Sequence, residues 1–319
     1  MKKLKQWFFL ALTTVVLTGC SLPGLGGNLS GHKTISITSG NTTEMQVVGY
    51  LVEGMINHYI DTETNVISNL GSSSMNHQAV MGGDADVSAI RYTGTSLTGE
   101  LNEKPETDPD KALEQVKKGF DEKFDQKWMP SYGFANTYAF MVTREKAEEL
   151  GLEKVSDLEP YIDDFKVGVD SNWINREGDG YDAFVDTYGF EIPDLYPMSI
   201  GLVYTAAANN EVDAVLGYST DGRIISEDLV VLEDDLHLFP PYDASPVVTH
   251  KILEEYPELD KVLQKMANTI TDEDMQKINY ASDEYLLEPK TVADEFLKDN
   301  NYFEDAKPYV EPVDKGVLE

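Results

Sequence analysis

Two stretches decide the fold: GGDADVSAIRYTG (residues 82–94) and NNEVDAVLGYSTDG (209–222). Each runs from a helix end through an aspartate into a short apolar strand, then to a tyrosine and a glycine turn. Asp86 leads to Tyr92 and Asp213 leads to Tyr218. Upstream of the first, TISIT (34–38) alternates like a strand, and Val48, Leu51, Val52, Met55, Ile56 and Tyr59 recur at helical spacing. Asn41, with Glu44 three residues on, reads as a capping-box helix start. NVISNL is a second strand, SSSMNHQAVMGG a helix and ADVSAI a third strand. That order, βαβαβ, predicts a parallel sheet with helices on its faces.

The second stretch closes a second unit over roughly 131–235. It reads as TYAFMV (strand), REKAEELG (helix), FKVGVD (strand), DAFVDTY (helix), SIGLVYTAAANN (helix) and VDAVLGY (strand). Residues 100–128 are polar, with a helix expected from Pro109 to about Lys127, and 250–303 are mostly helical with breaks at Pro257, Thr271 and Pro289. Tyr92 and Tyr218 both fall at the carboxyl ends of expected parallel strands, the edge at which open α/β sheets bind ligands. Two such sheets facing each other make a cleft with a tyrosine on each wall.

The N-terminus is built differently. Lys2, Lys3 and Lys5 precede an apolar run, Trp7–Leu17, and small residues precede Cys20, the only cysteine of 319 residues. A basic head, a short apolar core and small residues describe an export signal over 1–19. The run is shorter than the roughly 20 residues a membrane span needs. LTGC resembles the bacterial lipobox, so Cys20 is expected to carry lipid, and the Gly/Ser/Pro-rich stretch 20–31 to be a flexible tether.

The chain carries 57 acidic and 25 basic residues, a net charge of −32. Such a surface repels nucleic acid, which is bound through clustered Lys and Arg. It also repels anionic lipid, which leaves membrane contact to the anchor. A negative field favours the approach of cations. A body of roughly 290 residues is long enough to split into two domains.

Catalytic signatures are missing from the sequence: there is no G-x-S-x-G elbow, P-loop or H-E-x-x-H. The five histidines (32, 58, 77, 237 and 250) are scattered without ligand spacing. EGDGYD (177–182) lacks the alternating oxygen ligands of a calcium loop and reads as a turn before a helix. No metal, cofactor or enzymatic activity is expected. Tyrosine is the informative residue, with 17 against 12 phenylalanines. Tyr92, Tyr138, Tyr218 and Tyr242 lie where the cleft should be.

Several stretches together carry a family resemblance: LTGCSLPGLGG, NLGSSSMNHQAVMGGDADVSAIRYTGTSLTG, SYGFANTYAFMVT, NREGDGYDAF, IGLVYTAAANNEVDAVLGYSTDGRI and LFPPYDAS. In this order the chain resembles, over essentially its whole length, the substrate-binding lipoproteins of Gram-positive Opu-type osmoprotectant ABC transporters. These take up glycine betaine, carnitine, choline and related compounds. The resemblance implies a two-lobed, hinged periplasmic-binding-protein-like (type II) fold, each lobe a mixed, mainly parallel sheet flanked by helices. Lobe I is expected over 32–130 plus 236–319 and lobe II over 131–235. It also implies a cage of Tyr92, Tyr138, Tyr218 and Tyr242 around a quaternary ammonium, with Thr95 beside it toward the ligand's polar tail. Many relatives carry an amide side chain where this chain has Gly40, so Asn41 or backbone N–H groups are the substitutes; helix capping is the competing role for Asn41 and Thr42. The implied partners are a small quaternary ammonium ligand and the permease and ATPase subunits of an importer. The expected state is a monomer anchored by lipid on the extracellular face of the cell membrane.

Overall fold

The computed structural model describes residues 34–176 and 178–304. The export signal (1–19), Cys20 and the tether (20–31) lie outside the described residues. The elements from Ile35 onward belong to one unit.

The expected βαβαβ run is present. Strand β1 (Ile35–Gly40) leads to helix α1 (Thr43–Tyr59), β2 (Thr64–Leu70), α2 (Ser73–Met81) and β3 (Val87–Tyr92). β1 pairs in parallel with both β2 and β3. Next come α3 (Thr93–Thr98), α4 (Pro109–Phe124), β4 (Gln126–Trp128), β5 (Tyr138–Thr143) and α5 (Arg144–Leu150). The same topology then recurs: β6 (Lys166–Asp170), α6 (Tyr181–Tyr188), β7 (Asp194–Met198), α7 (Ile200–Ala208) and β8 (Ala214–Tyr218), with β6 parallel to both β7 and β8. The remaining elements are α8 (Arg223–Ser226), β9 (Leu229–Val231), β10 (Ala244–Thr249), α9 (His250–Glu255), α10 (Glu258–Gln264), α11 (Asp272–Asp283) and α12 (Pro289–Asp299).

Two five-stranded sheets result, ordered β2-β1-β3-β10-β4 and β7-β6-β8-β5-β9. Both are mixed. The parallel half is the βαβαβ run, and the antiparallel half contains a strand that arrives from the other lobe: β10 on β3, and β5 on β8. The chain therefore crosses twice, between β4 and β5 and between β9 and β10. The crossings pair with each other through an antiparallel bridge, Ala135 to Asp243, flanked by Asn136 N–H to Tyr242 O (3.3 Å) and Ala244 N–H to Phe134 O (3.1 Å).

The sequence echo is a repeated structural device. Asp86 N–H donates to Ser36 O (2.8 Å), and Ser36 N–H donates back to the Asp86 carboxylate (3.1 Å). Asp213 and Lys166 repeat both bonds at 2.7 and 2.9 Å. Each aspartate so fixes the register of the third strand of its unit against the first, which fixes where the tyrosine six or five residues on emerges.

The core of the first lobe is the apolar face of α1 (Val47, Val48, Leu51, Val52, Met55, Ile56), fully buried with Ile35, Ile37 and Val87. Each such side chain contributes about 1.5–3 kcal/mol. The second lobe packs Phe140, Trp173 and Phe184 around Val167 and Val169.

Two sequence expectations are corrected, and two strands, β7 and β10, went unread. The cap of α1 is Thr42, whose hydroxyl accepts from Met45 N–H (3.3 Å), not Asn41. The helix from Pro109 stops at Phe124 because Asp125 takes a left-handed conformation (φ 55°), and Gln126–Trp128 then forms an edge strand. Pro197 and Pro246 mask β7 and β10. Proline donates no ladder bond and is confined to edges and irregularities; β7 is an edge strand, and the register of β10 shifts between Ser245 and Val247, around Pro246.

Candidate functional site

The four tyrosines are delivered to one place by the strands that carry them. Tyr92 and Tyr218 end the parallel strands β3 and β8. Tyr138 begins the antiparallel strand β5 and is the register partner of Tyr218, so it emerges at the same edge. Tyr242 lies two residues before β10, whose Ala244 is the register partner of Tyr92. Its loop is clamped by the turn after β3: Thr93 Oγ–H and Gly94 N–H both donate to Pro241 O, at 2.7 and 2.9 Å. A Cβ on Gly94 would sit 2.9 Å from that same oxygen and 3.1 Å from the Tyr242 ring, so only glycine admits the approach.

All four line one cavity of about 540 Å³, with Thr95, Thr42 and Met45 also on its wall. The rings of Tyr138 and Tyr218 stand 5.1 Å apart at 32°. Tyr138 is buried and Tyr218 is 36% exposed, so the cage is open on one side. Asn41 is exposed and is not on the wall. At Gly40, a Cβ would lie 2.0 Å from Met45 Sδ, so the methionine fills the space that a side chain at position 40 would take.

Each phenol that forms a bond turns its hydroxyl toward the protein. Tyr92 Oη donates to Glu44 Oε1 (2.5 Å) and Tyr138 Oη to Asp170 Oδ2 (2.6 Å). Tyr242 Oη accepts from Arg176 Nη2 (2.8 Å) and lies 3.4 Å from Asp179. Burial first, then the neighbouring carboxylate, raises the phenol pKa values of Tyr92 and Tyr138 well above the ordinary range, and pushes Tyr242 up to about 12. These rings are therefore neutral phenols at any physiological pH.

Two charged residues of the site escaped sequence reasoning. Arg176 binds Asp179 through two N–H groups (2.8 and 2.6 Å) and holds its guanidinium 5.2 Å from the Tyr138 ring centroid. A cation thus already rests against a cage ring. The signal for Arg176 was absent, since it sits in a turn without periodicity. Glu44 is 3% exposed. Besides Tyr92, its carboxylate accepts from Asn136 Nδ2 (2.9 Å), Thr220 Oγ1 (2.6 Å) and Asn279 Nδ2 (3.3 Å). In the sequence Glu44 reads only as the acid of a capping box; its place four residues before Val48, on the apolar stripe of α1, is the signal that it is buried.

The histidines among the described residues are not on the cavity wall. His77 packs edge-on to Phe120 and Phe124 in the first lobe, where burial first and then Arg91 lower its pKa. Among the described residues no group of three or more His, Cys, Asp or Glu side chains is placed to hold a metal, and no helix is long and apolar enough to cross a membrane.

The chain is similar to known proteins over most of its length. Residues 33–299 match the family model described as the substrate binding domain of ABC-type glycine betaine transport systems. The carnitine transport binding protein OpuCC of Listeria monocytogenes is 49% identical over 295 residues, covering 92% of this chain and 95% of that protein. The glycine-betaine-binding protein of Pseudomonas aeruginosa is 31% identical over 256 residues, 77% of this chain and 81% of that one. A crystal structure of a glycine betaine/carnitine/choline ABC transporter has a TM-score of 0.82 at 47% identity, over 85% of this chain and 100% of its own.

Proposed function

The chain belongs to the family of substrate-binding domains of ABC-type glycine betaine transport systems, and from that membership we propose that its tyrosine cavity captures quaternary ammonium compatible solutes, carnitine and glycine betaine foremost. A domain of this family is an extracytoplasmic receptor and not an enzyme; it binds a small solute and engages the transporter's other subunits. Cys20 anchors it by lipid to the outer face of the membrane, and it works as a monomer with a permease and an ATPase.

One observation carries the ligand assignment: Tyr92, Tyr138, Tyr218 and Tyr242 line a single cavity with their hydroxyls engaged by the protein where bonds are formed, which leaves ring faces for the ligand. A trimethylammonium has no N–H to donate and spreads its charge over methyl groups, so π faces suit it better than a hydrogen-bonded carboxylate does. Each contact is worth about 0.5–2 kcal/mol, so four supply roughly 2–8 kcal/mol. Micromolar affinity needs about 8 kcal/mol, which the cage supplies together with polar contacts to the ligand's tail from Thr95. The lobes, divided at the two crossovers near residues 131 and 236, close around the ligand by hinge motion.

Calorimetric titration with carnitine, glycine betaine and choline tests the reading. Saturable binding of at least one is the expected result. Capture of a neutral or anionic solute, with none of the three bound, defeats it.

A further inference from the structure

The cavity contains a charge whose role the cage alone does not explain. Glu44 is buried, lines the cavity and accepts four hydrogen bonds, all from neutral groups: Tyr92, Asn136, Thr220 and Asn279. The other charges on the cavity wall are balanced or wet; Asp170, fully buried among neutral donors, lies off that wall behind Tyr138. Arg176 is matched by Asp179 and Arg223 by Asp221, and Asp283 is exposed. A desolvated carboxylate without a cation is costly, and hydrophobic burial of the α1 stripe would be served better by an aliphatic residue at position 44. The four donors arrive from β3, the first crossover, the turn after β8 and α11, so both lobes meet at this carboxylate.

We infer that Glu44 is the counter-charge of the cage: it supplies the negative field that makes the site prefer a cation over a neutral molecule of the same shape, and it orients the Tyr92 ring. This rests on the receptor reading of the same cavity. Two effects act together. The carboxylate attracts a cation directly, and by accepting the Tyr92 proton it enriches that ring's π face in electron density. A cation on the face of the Tyr92 ring, within about 6 Å of its centroid, stands roughly 7 Å from the carboxylate. At an effective dielectric of about 20, removing the charge at that distance weakens cation binding on the order of 10- to 50-fold.

The test compares glycine betaine with 3,3-dimethylbutanoate, which has the same tail and a tert-butyl group in place of the trimethylammonium. Choline and 3,3-dimethylbutan-1-ol form a second pair, and weak ligands are measured by competition. Glu44→Gln and Glu44→Met both remove the charge, so one folded variant, checked by thermal melting, suffices. The expected result is a loss on the order of 10- to 50-fold for the quaternary ammonium member of each pair and less than about threefold for its tert-butyl isostere. Glu44→Asp, which keeps the charge, retains the wild-type preference between the two. Equal losses for cation and isostere, or no loss, overturn the counter-charge assignment while leaving the receptor reading intact. A wild-type protein that binds no quaternary ammonium overturns the receptor reading itself, and this inference with it.

Discussion

Replacing Tyr138 separates the two jobs of a cage tyrosine, because its ring and its hydroxyl face different partners. The ring stands 5.1 Å from that of Tyr218 and lies on the cavity wall. The hydroxyl points away, to buried Asp170, which also accepts from Asn172 N–H (3.3 Å) and Asn172 Nδ2 (3.2 Å). Tyr138→Phe keeps the π face and removes one of the donors to a buried carboxylate. Leaving a buried polar group short of a partner costs about 1–3 kcal/mol, which lowers the melting temperature by roughly 2–4 °C per kcal/mol in a protein of this size. Ligand affinity should change by less than about fivefold, within the spread of cation–π strengths between Phe and Tyr faces. Tyr138→Ala removes the ring contact with the ligand, the Tyr218 pair and the packing. Its stability cost, the Tyr218 ring pair included, is about 3–5 kcal/mol, and the lost cation–π contact amounts to roughly 0.5–2 kcal/mol, about 2- to 30-fold in affinity. Thermal melts and calorimetry on the two variants give the answer. If Phe weakens binding as much as Ala, the hydroxyl and not the ring face holds the ligand, and the cage argument is wrong.

Three further outcomes are expected. Affinity should be flat from pH 6 to 8: burial raises the phenols of Tyr92, Tyr138 and Tyr242, the last to about 12, so their neutral form persists below that value and is lost only above it. A titration centred near 6.5 would expose a histidine acting at the site. Asp86→Ala and Asp213→Ala should each destabilise their own unit by about 1–2 kcal/mol through the strand-start bond they share, Asp213→Ala by somewhat more because it also breaks the ion pair with Lys146; denaturant melts showing a cost at Asp86 alone would refute the shared role. Cys20 in membrane-extracted protein should carry a lipid mass, and an unmodified thiol in the intact-mass spectrum would refute the anchor.

Much of this architecture was legible because period and punctuation agree in it. The α1 stripe, the two Asp-to-Tyr stretches and the alternating TISIT each combine a hydrophobic period with a turn signal, and each became the expected element. What stayed hidden had no local signature. β4 and β9 are three residues long, and β10 is interrupted by Pro246, so their strand character comes from the sheet edges they meet. Tyr92 and Tyr218 were placed because strand ends are readable, whereas Tyr138 and Tyr242 joined the proposed cage through the family resemblance. Arg176 and the partners of Glu44 were not placed, because they meet only when four separate segments converge. Asn41 illustrates the reverse error: a plausible cap one residue early, displaced by Thr42 once the helix takes its true start.

The bridge between the two crossings has a mechanical consequence. Ala135 and Asp243 are its partners, Asn136 adjoins one and Tyr242 the other, and Tyr138 follows three residues after Ala135. The pivot and the receptor pocket are thus built from the same few residues. A pivot that close to its load gives almost no leverage loss: a small twist of the backbone there swings the outer ends of both halves widely while shifting two of the rings only slightly. On the proposed receptor function, such a twist would carry occupancy of the pocket to the periphery of the molecule, where the transporter's membrane component would meet it.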